Sequence, residues 1–260
     1  MRDSELARIE AWFGRFVAGY LSEAYEDRAT LELKHAHSLR VADNMSALAV
    51  SLGWADPFLA RSIGVLHDAG RFPQYKKYRT FTDSLSQSHG RLGVHVLREN
   101  GVLHGLAPMD SAIIIAAVKY HNTLALPMVE EGELRYVKLI RDADKLDVWR
   151  VLADHYEKAE ADRLEAVGLG LGESPGISPE SLACLREGRV ANHALARNSN
   201  DMRIHYLSWV YDMNYPASCR LALEAGDLRR IASGLPDVPD VSSAVEKAFG
   251  DLQRLAEGIG

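Results

Sequence analysis

Apolar residues recur along most of the chain with the three- and four-residue spacing of amphipathic helices. In the first such segment, residues 4–27, the apolar stripe consists of Leu6, Ile9, Phe13, Phe16 and Leu21. Further helices are predicted over residues 31–52, 57–69, 87–99, 109–121, 133–167 (one long helix or two), 179–233 and 241–257. No segment shows the strict alternation that indicates a strand, so the pattern predicts an all-α protein.

Glycine and proline divide these helices from one another. Gly53 is expected to end the second helix, and Pro57 to lie in the first turn of the third. Residues 71–84 are predicted to form a loop, residues 168–176 a glycine-rich connection, and residues 235–239 a break. We therefore predict a helical domain over residues 1–167, which includes the N-terminal helix, and a C-terminal helical extension over 168–260 packed on the same core.

Composition and charge narrow the class of protein. The chain has 260 residues, of which 47% are hydrophobic and 25% charged, and its net charge is -6. That charge argues against general binding of nucleic acid or anionic membranes. The first residues are too acidic for a signal peptide, and no apolar run approaches a membrane span, so we expect a cytoplasmic protein. Cys184 and Cys219 form no CxxC motif and are expected to be ordinary reduced thiols.

The most informative stretch for chemistry is residues 62–71, where an apolar run leads directly into His67 and Asp68. The helical spacing of the preceding apolar residues places His67 on or beside the buried face. A carboxylate there is costly to bury unpaired, and a metal ion would resolve that cost. Taken alone, the pair is equally consistent with a buried histidine and a helix-end aspartate just before a glycine that stops the helix.

Four more polar residues occupy positions that should belong to the core. A single histidine of this kind is more often a buried residue with a local partner than a ligand, but a buried aspartate in an apolar stripe is rarer. Together with His67 and Asp68 they supply four imidazoles and two carboxylates, which suit one or two divalent first-row ions. These four residues are His37, His89, His121 and Asp144, each on a different predicted helix.

The order of these residues resembles the HD superfamily of metal-dependent phosphohydrolases. The core pattern of that family is matched by His37, His67, Asp68 and Asp144. The extra His89 and His121 match the subset that binds two metals. Residues 34–41 and 141–147 are similar to the family's first and last motifs, and the resemblance covers residues from about 30 to 155. It implies an all-α HD-domain helical bundle.

Two of these assignments have a neighbouring alternative. His35 is two residues before His37 and points nearly the opposite way on a helix, toward a less bulky face, so we prefer His37. Asp142 likewise points away from Asp144 and is expected to be solvated or to pair with another residue. The family pattern agrees with both choices. Ordinary structural roles are assigned to His95, His104, His155, His193 and His205.

The resemblance also implies roles for the metal ligands. Asp68 would bridge two ions, with His37, His67 and Asp144 holding one, and His89 and His121 the other. A water between the ions would lose its proton and attack a small phosphorylated substrate such as a nucleotide. The cofactors would be two divalent ions per chain, drawn from Fe, Mn, Co, Zn or Mg.

Cationic and amide side chains near these ligands are candidates for holding the substrate. Arg71 follows the His-Asp pair by three residues, so its guanidinium can lie near the metals and bind a phosphate through two hydrogen bonds. Together with Asp68, Arg71 and Lys145 are the predicted catalytic residues, Lys145 because it is adjacent to Asp144. The remaining substrate-binding candidates are Lys76, Lys77 and Arg79 in the predicted loop and Asn122, which directly follows His121.

Two other functions stay open at this level. The same order of ligands occurs in di-iron oxygenases that resemble myo-inositol oxygenase, and ligand types do not separate these from hydrolases. A degenerate binding or signalling module is the other alternative, although intact ligands at all six positions argue against it. The sequence leaves open whether the chain forms a homodimer.

Overall fold

Every regular element described in the computed structural model is a helix, which confirms the predicted all-α fold class. The structure describes residues 1–23, 27–159, 164, 167, 171 and 175–259, and no strand occurs within these ranges. The chain divides into two compact units, Met1–Asp144 and Lys145–Gly260. The predicted domain boundary at 167/168 stays a prediction, because residues 168–170 and 172–174 of the glycine-rich connection lie outside the described ranges.

The first unit contains the helices on which all six candidate ligands depend. In chain order they are α1 (Asp3–Glu23), α2 (Arg28–Leu52), α3 (Pro57–Leu66), α4 (Arg71–Tyr78), α5 (His89–Glu99), α6 (Pro108–Tyr120) and α7 (Glu131–Glu157), of which the part up to Asp144 belongs to this unit. A short 3-10 turn, Asp83–Leu85, lies between α4 and α5.

Helices α2 and α3 pack with almost no space between their backbones. A Cβ atom placed on Gly64 of α3 would lie only 2.4 Å from the Cα atom of Ala42 in α2. Because only glycine permits this approach, the crossing brings the buried face of α2 within reach of the residues that follow α3. His37 lies on that face of α2, and His67 directly follows α3.

The predicted loop over residues 71–84 is wrong in its first half, where the chain forms helix α4. The local sequence shows no apolar stripe there, but Phe72 is fully buried. Its ring lies 5.9 Å from the ring of Phe13 and 5.8 Å from those of Phe16 and Tyr20 on α1. Tertiary packing against α1 therefore stabilises a segment whose own sequence does not favour a helix.

The other predicted helices occur with modest shifts at their ends. Gly53 ends α2 in the left-handed conformation, with φ of 71°, as its position predicted. Asp56 precedes Pro57 and accepts hydrogen bonds from the backbone N–H groups of Phe58 and Leu59, which fixes the start of α3. The predicted helix over 133–167 ends earlier than expected, because α7 stops at Glu157 and residues 158 and 159 are not helical. Residues 160–163, 165 and 166 lie outside the described ranges.

The second unit is also helical, but the predicted segment 179–233 is interrupted rather than continuous. It consists of α8 (Pro179–Arg186), α9 (Ser199–Ser208), α10 (Pro216–Ala225) and α11 (Asp227–Ala232), with 3-10 turns His193–Leu195 and Trp209–Asp212 between them. Helix α12 (Pro239–Ala256) follows. The core contains Leu185, Ile204, Leu207, Ile231 and Leu252, all of which are buried.

A buried carboxylate organises the loops of this unit. Asp201 in α9 accepts hydrogen bonds from the backbone N–H of Ser178 at 2.7 Å, its hydroxyl at 2.6 Å and the N–H of Arg197 at 2.9 Å. These bonds satisfy a charge that would otherwise be expensive to bury. Asp201 therefore has a structural role.

His205 in α9 should make the protein less stable as the pH falls into the mildly acidic range. Burial lowers its pKa to about 4, and its Nδ1 atom lies 2.6 Å from the carbonyl oxygen of Ala191, with the ring of His193 nearby. Between pH 6.5 and 4 the unfolded chain binds a proton at this residue and the folded chain does not, so the free energy of unfolding decreases as the pH is lowered through this range. His205→Asn, which can still donate to Ala191, should remove about 2 kcal/mol of the loss between pH ~7 and ~5.

The measurement is the free energy of unfolding from urea titrations of both proteins at the two pH values. Other buried histidines contribute equally to both proteins, so the difference between the two pH profiles isolates His205. Parallel profiles would contradict the prediction.

None of the helices that the structure describes has the length and apolarity needed to cross a membrane. The two cysteines are not bonded to one another: Cys219 is buried and Cys184 partly exposed.

Candidate metal centre

Three candidate ligands from separate elements meet in the interior of the first unit. The Nε2 atom of His37 lies 3.1 Å from Oδ1 of Asp144 and 3.3 Å from Nε2 of His67. Both imidazoles are buried, whereas the side chain of Asp144 is 24% exposed. The three ligand atoms lie within 4.8 Å of one another, which is close enough for one ion to contact all three.

His35 and Asp142, the alternatives to His37 and Asp144, do not take part in this cluster. The ring of His35 is half-buried and packs 5.8 Å from the ring of Phe13. Asp142 is fully buried and has interactions of its own, so it is a pairing residue and not a solvated one. The structure thus places His37 and Asp144, rather than His35 and Asp142, beside His67.

A second cluster adjoins the first. The Nε2 atoms of His89 and His121 lie 2.9 Å apart. Oδ1 of Asp68 lies 3.5 Å from the former and 3.7 Å from the latter. His67, Asp68 and His121 also form a group whose ligand atoms lie within 4.8 Å of one another, so His67 borders both clusters.

Asp68 presents one oxygen to each cluster. Its Oδ2 atom lies 3.7 Å from Nε2 of His37 and 3.6 Å from Nε2 of His67, whereas its Oδ1 atom faces His89 and His121. The side chain is almost fully buried. A carboxylate in this position has the orientation needed to share its two oxygens between two ions.

The hydrogen bonds of the His89 and His121 rings leave the Nε2 atoms in the form that binds a metal. Nδ1 of His89 contacts the carboxylate of Asp83 at 2.8 Å, and Nδ1 of His121 contacts the carbonyl oxygen of Val118 at 2.9 Å. Both oxygens only accept, so each Nδ1 carries the hydrogen, and in a neutral ring Nε2 then keeps a lone pair. Two such lone pairs face each other across 2.9 Å, and a cation between them would remove the repulsion.

His67 has the same arrangement in the first cluster. Its Nδ1 atom lies 2.7 Å from the carbonyl oxygen of Gly64, which leaves Nε2 free of hydrogen and directed at His37. Metal-bound histidines commonly donate their other ring N–H to such an acceptor, which fixes the ring for ligation.

The site favours the deprotonated forms that bind metals. Burial lowers the pKa of His67 to about 4 and that of His89 to about 3, so both rings are neutral at pH 7. Burial alone would raise the pKa of Asp68, but the positive charges of Lys34 and Arg71 help to hold it well below its usual value. The pKa of Asp144 is likewise lowered, mainly by His37 and against the effect of burial. All four groups can therefore bind a cation without first losing a proton.

Sequence reasoning missed two residues in this region, Lys34 and Asp83. The Nζ atom of Lys34 lies 2.9 Å from Oδ2 of Asp68, and Lys34 is three residues before His37 on the same face of α2. That spacing was the available signal for Lys34. Asp83 contacts His89 from the 3-10 turn between α4 and α5, and nothing in the helical periodicity marked it.

Arg71 lies beside Asp68, and its guanidinium is held by contacts on two sides. Its Nε atom faces Oδ1 of Asp68 at 3.5 Å, and its Nη1 atom contacts Asp83 at 3.1 Å, Gln74 at 2.8 Å and the carbonyl oxygen of Phe81. The guanidinium and the ammonium group of Lys34 both lie over the ring of Phe81, at 5.6 Å and 5.4 Å from its centroid. The two cations therefore lie beside Asp68 and over the same aromatic ring, that of Phe81.

The other predicted substrate-binding residues have varied surroundings. Asn122 donates to Oδ2 of Asp83 at 3.0 Å, which ties it to the second cluster. Lys76 pairs with Glu23, Arg79 pairs with Asp27, and Lys77 lies over the ring of Tyr78; these three side chains lie toward the surface. The binding roles of these four residues stay predictions.

Lys145 belongs to the second unit and is buried there. Its Nζ atom lies 2.7 Å from the carboxylate of Asp212 and 3.0 Å from the carbonyl oxygen of the same residue. Its predicted catalytic role stays a prediction.

Gly70, two residues after Asp68, lets α5 approach the cluster. A Cβ atom at this position would lie 2.1 Å from the carbonyl oxygen of His89 and 2.5 Å from the backbone nitrogen of Gly93. Since backbone must move to relieve such contacts, Gly70→Ala should lower the free energy of unfolding by about 1–3 kcal/mol. It should also displace His89 and weaken metal binding in its cluster.

Chemical denaturation and metal titration of the variant test this expectation. Gly14→Ala is the matched control: this glycine lies in helix α1, and a Cβ atom added there would meet no neighbouring atom within 4 Å, so alanine should be neutral or slightly stabilising. Equal stability of the two variants would show that the packing at Gly70 does not constrain α5.

Comparison with known proteins gives one match. Residues 35–149 match the HD domain family, a range that begins just before His37 and ends just after Asp144. Searches of curated proteins and of solved structures found no match.

Proposed function

We propose that the region matching the HD domain family, residues 35–149, hydrolyses a phosphate ester or anhydride with two divalent ions, in keeping with a superfamily of metal-dependent hydrolases. The substrate would be a nucleotide or a related small phosphorylated metabolite. One observation carries the proposal: Asp68 offers one carboxylate oxygen to His37 and His67 and the other to His89 and His121.

The proposed ligands divide between two ions. His37, His67 and Asp144 would hold one ion, His89 and His121 the other, and Asp68 would bridge them. Ions held there would make water nucleophilic at neutral pH and neutralise the oxygens of a phosphate. Their identity is left to experiment, because histidine and carboxylate ligands suit Fe, Mn, Co and Zn alike.

The charges around the site support an anionic substrate. Two cationic side chains, Lys34 and Arg71, pair with Asp68 and Asp83, and Asp144 adds a third carboxylate beside His37. Two divalent ions would more than offset the remaining negative charge, so the loaded site would attract an anion.

The two side-chain cations are placed to orient that anion. Arg71 is held by Gln74 and the carbonyl oxygen of Phe81, which restricts its planar group to one orientation. A guanidinium fixed in this way loses little conformational entropy when it binds a phosphate. Lys34 would contribute a second positive charge beside Asp68.

The test is a phosphate-release screen of nucleotides and small phosphate esters. Metal-depleted protein is reloaded separately with Mn, Mg, Fe and Co, and His95→Ala, which changes an exposed histidine of α5, serves as the control for handling. We expect phosphate release that requires a divalent ion and stops on chelation. Oxygen consumption by the iron-loaded protein without phosphate release would overturn the proposal in favour of an oxygenase.

A further inference from the structure

Asp83 is the acceptor for a group of donors at the edge of the second cluster. Its carboxylate contacts Nδ1 of His89 at 2.8 Å and 2.9 Å, one distance for each oxygen. It also accepts from Gln74 at 2.9 Å, Arg71 at 3.1 Å and Asn122 at 3.0 Å. The side chain is 30% exposed, so these contacts are made partly out of water.

The contact with His89 decides which ring nitrogen carries hydrogen. A carboxylate can only accept, so the hydrogen lies on Nδ1, and Nε2 is left with the lone pair that a metal requires. That Nε2 atom points toward His121 and Asp68.

His89 needs a side-chain acceptor because of its place in the fold. His67 and His121 lie at the ends of helices, where each donates from Nδ1 to the carbonyl oxygen three residues earlier, that of Gly64 or Val118. His89 is the first residue of α5, so no preceding helical turn offers it a carbonyl group. Asp83, from the preceding 3-10 turn, takes the place of that carbonyl.

From this geometry we propose that Asp83 is a positioning residue for the second metal ion. It holds His89 in the Nδ1–H tautomer with Nε2 directed into the cluster, and through Asn122 it ties this ligand to the segment that follows His121. The inference rests on the metal assignment made in the proposed function, but it does not depend on the substrate.

The test combines the tautomer of His89 with the affinity of the second ion. Nitrogen-15 NMR of the metal-free protein reports which ring nitrogen of His89 carries hydrogen, and Co titration reports the two binding steps. Asp83→Ala should shift His89 toward the Nε2–H tautomer and weaken the second step by about 10–100-fold, with the first step unchanged. Asp83→Asn keeps a neutral acceptor and should give an intermediate loss.

Gln74→Ala separates this role from simple support of the loop. Gln74 donates to Asp83, to Ser86 and to the carbonyl oxygen of Gln87, so its loss loosens the same segment but leaves the contact between Asp83 and His89 possible. We expect this variant to be less stable but to keep the wild-type tautomer.

Three outcomes would overturn the inference: both Asp83 variants keep the wild-type tautomer and second-ion affinity, Gln74→Ala reproduces their effects, or the wild type never binds a second ion. A wild type that binds two ions with the expected dependence on Asp83 but releases no phosphate would support the inference and contradict the proposed function instead.

Discussion

Replacing Asp68 with alanine is expected to abolish metal-dependent phosphate release and most metal binding. Asp68 places one oxygen at each cluster, and its loss removes the negative charge that would hold two cations close together. A change to an outer partner of a metal site typically costs roughly 10–100-fold, and the loss of a bridging ligand should exceed ~100-fold.

The variant should remain folded. The helices around Asp68 are held by the apolar packing of α2 against α3 and by the buried core, none of which depends on the carboxylate. Circular dichroism, metal content and turnover are measured together, with Asp43→Ala, which alters a mostly exposed carboxylate of α2, as the control. Near-normal turnover and metal content in Asp68→Ala would make Asp68 a structural residue.

Removing either ligand of the second cluster is expected to lower the metal content from two ions per chain toward one. His89 and His121 lie on apolar stripes, and without a cation their buried lone pairs would face each other at a cost of roughly 1–3 kcal/mol for each unsatisfied group. The second ion should bind more weakly than the first, because it shares Asp68 and has only these two ligands of its own.

Metal content under saturating conditions is measured for His89→Ala and His121→Ala alongside turnover, which should fall by at least roughly 10-fold. His95→Ala is the matched control, since His95 also lies on α5 but is exposed and pairs with Glu99. A wild type that never exceeds one ion, or variants that keep full stoichiometry, would show that the site holds a single ion.

The helical periodicity predicted the fold class and the main candidate residues because it encodes which face of each helix is buried. His37 and His35 are only two residues apart, and the stripe through Val41 and Met45 predicted that His37 points inward and His35 the opposite way. In the structure His37 is buried, whereas His35 is half-buried and packs against Phe13. The same reasoning predicted Asp144 as a ligand and Asp142 as a solvated or pairing residue, but Asp142 is fully buried and Asp144 is partly exposed. Spacing therefore indicated which residues share a helix face, but not how deeply each is buried.

Periodicity could not predict features that depend on contacts between distant segments. Helix α4 was missed because Phe72 packs against α1, far earlier in the chain. Asp83 was missed because its contact with His89 depends on the path of the turn between α4 and α5. The charged residues of the predicted loop illustrate the same limit, because the sequence shows that a charge is present but not where its side chain points. In the structure Lys76 pairs with Glu23 and Arg79 pairs with Asp27.

Anomalous diffraction from crystals of the Mn-loaded protein would test the central claim most directly. Two peaks are predicted, one within about 2.0–2.2 Å of ligand atoms from His37, His67 and Asp144, the other at a similar distance from His89 and His121, with one oxygen of Asp68 near each. A single peak, or Mn bound only outside this cluster, would contradict the account.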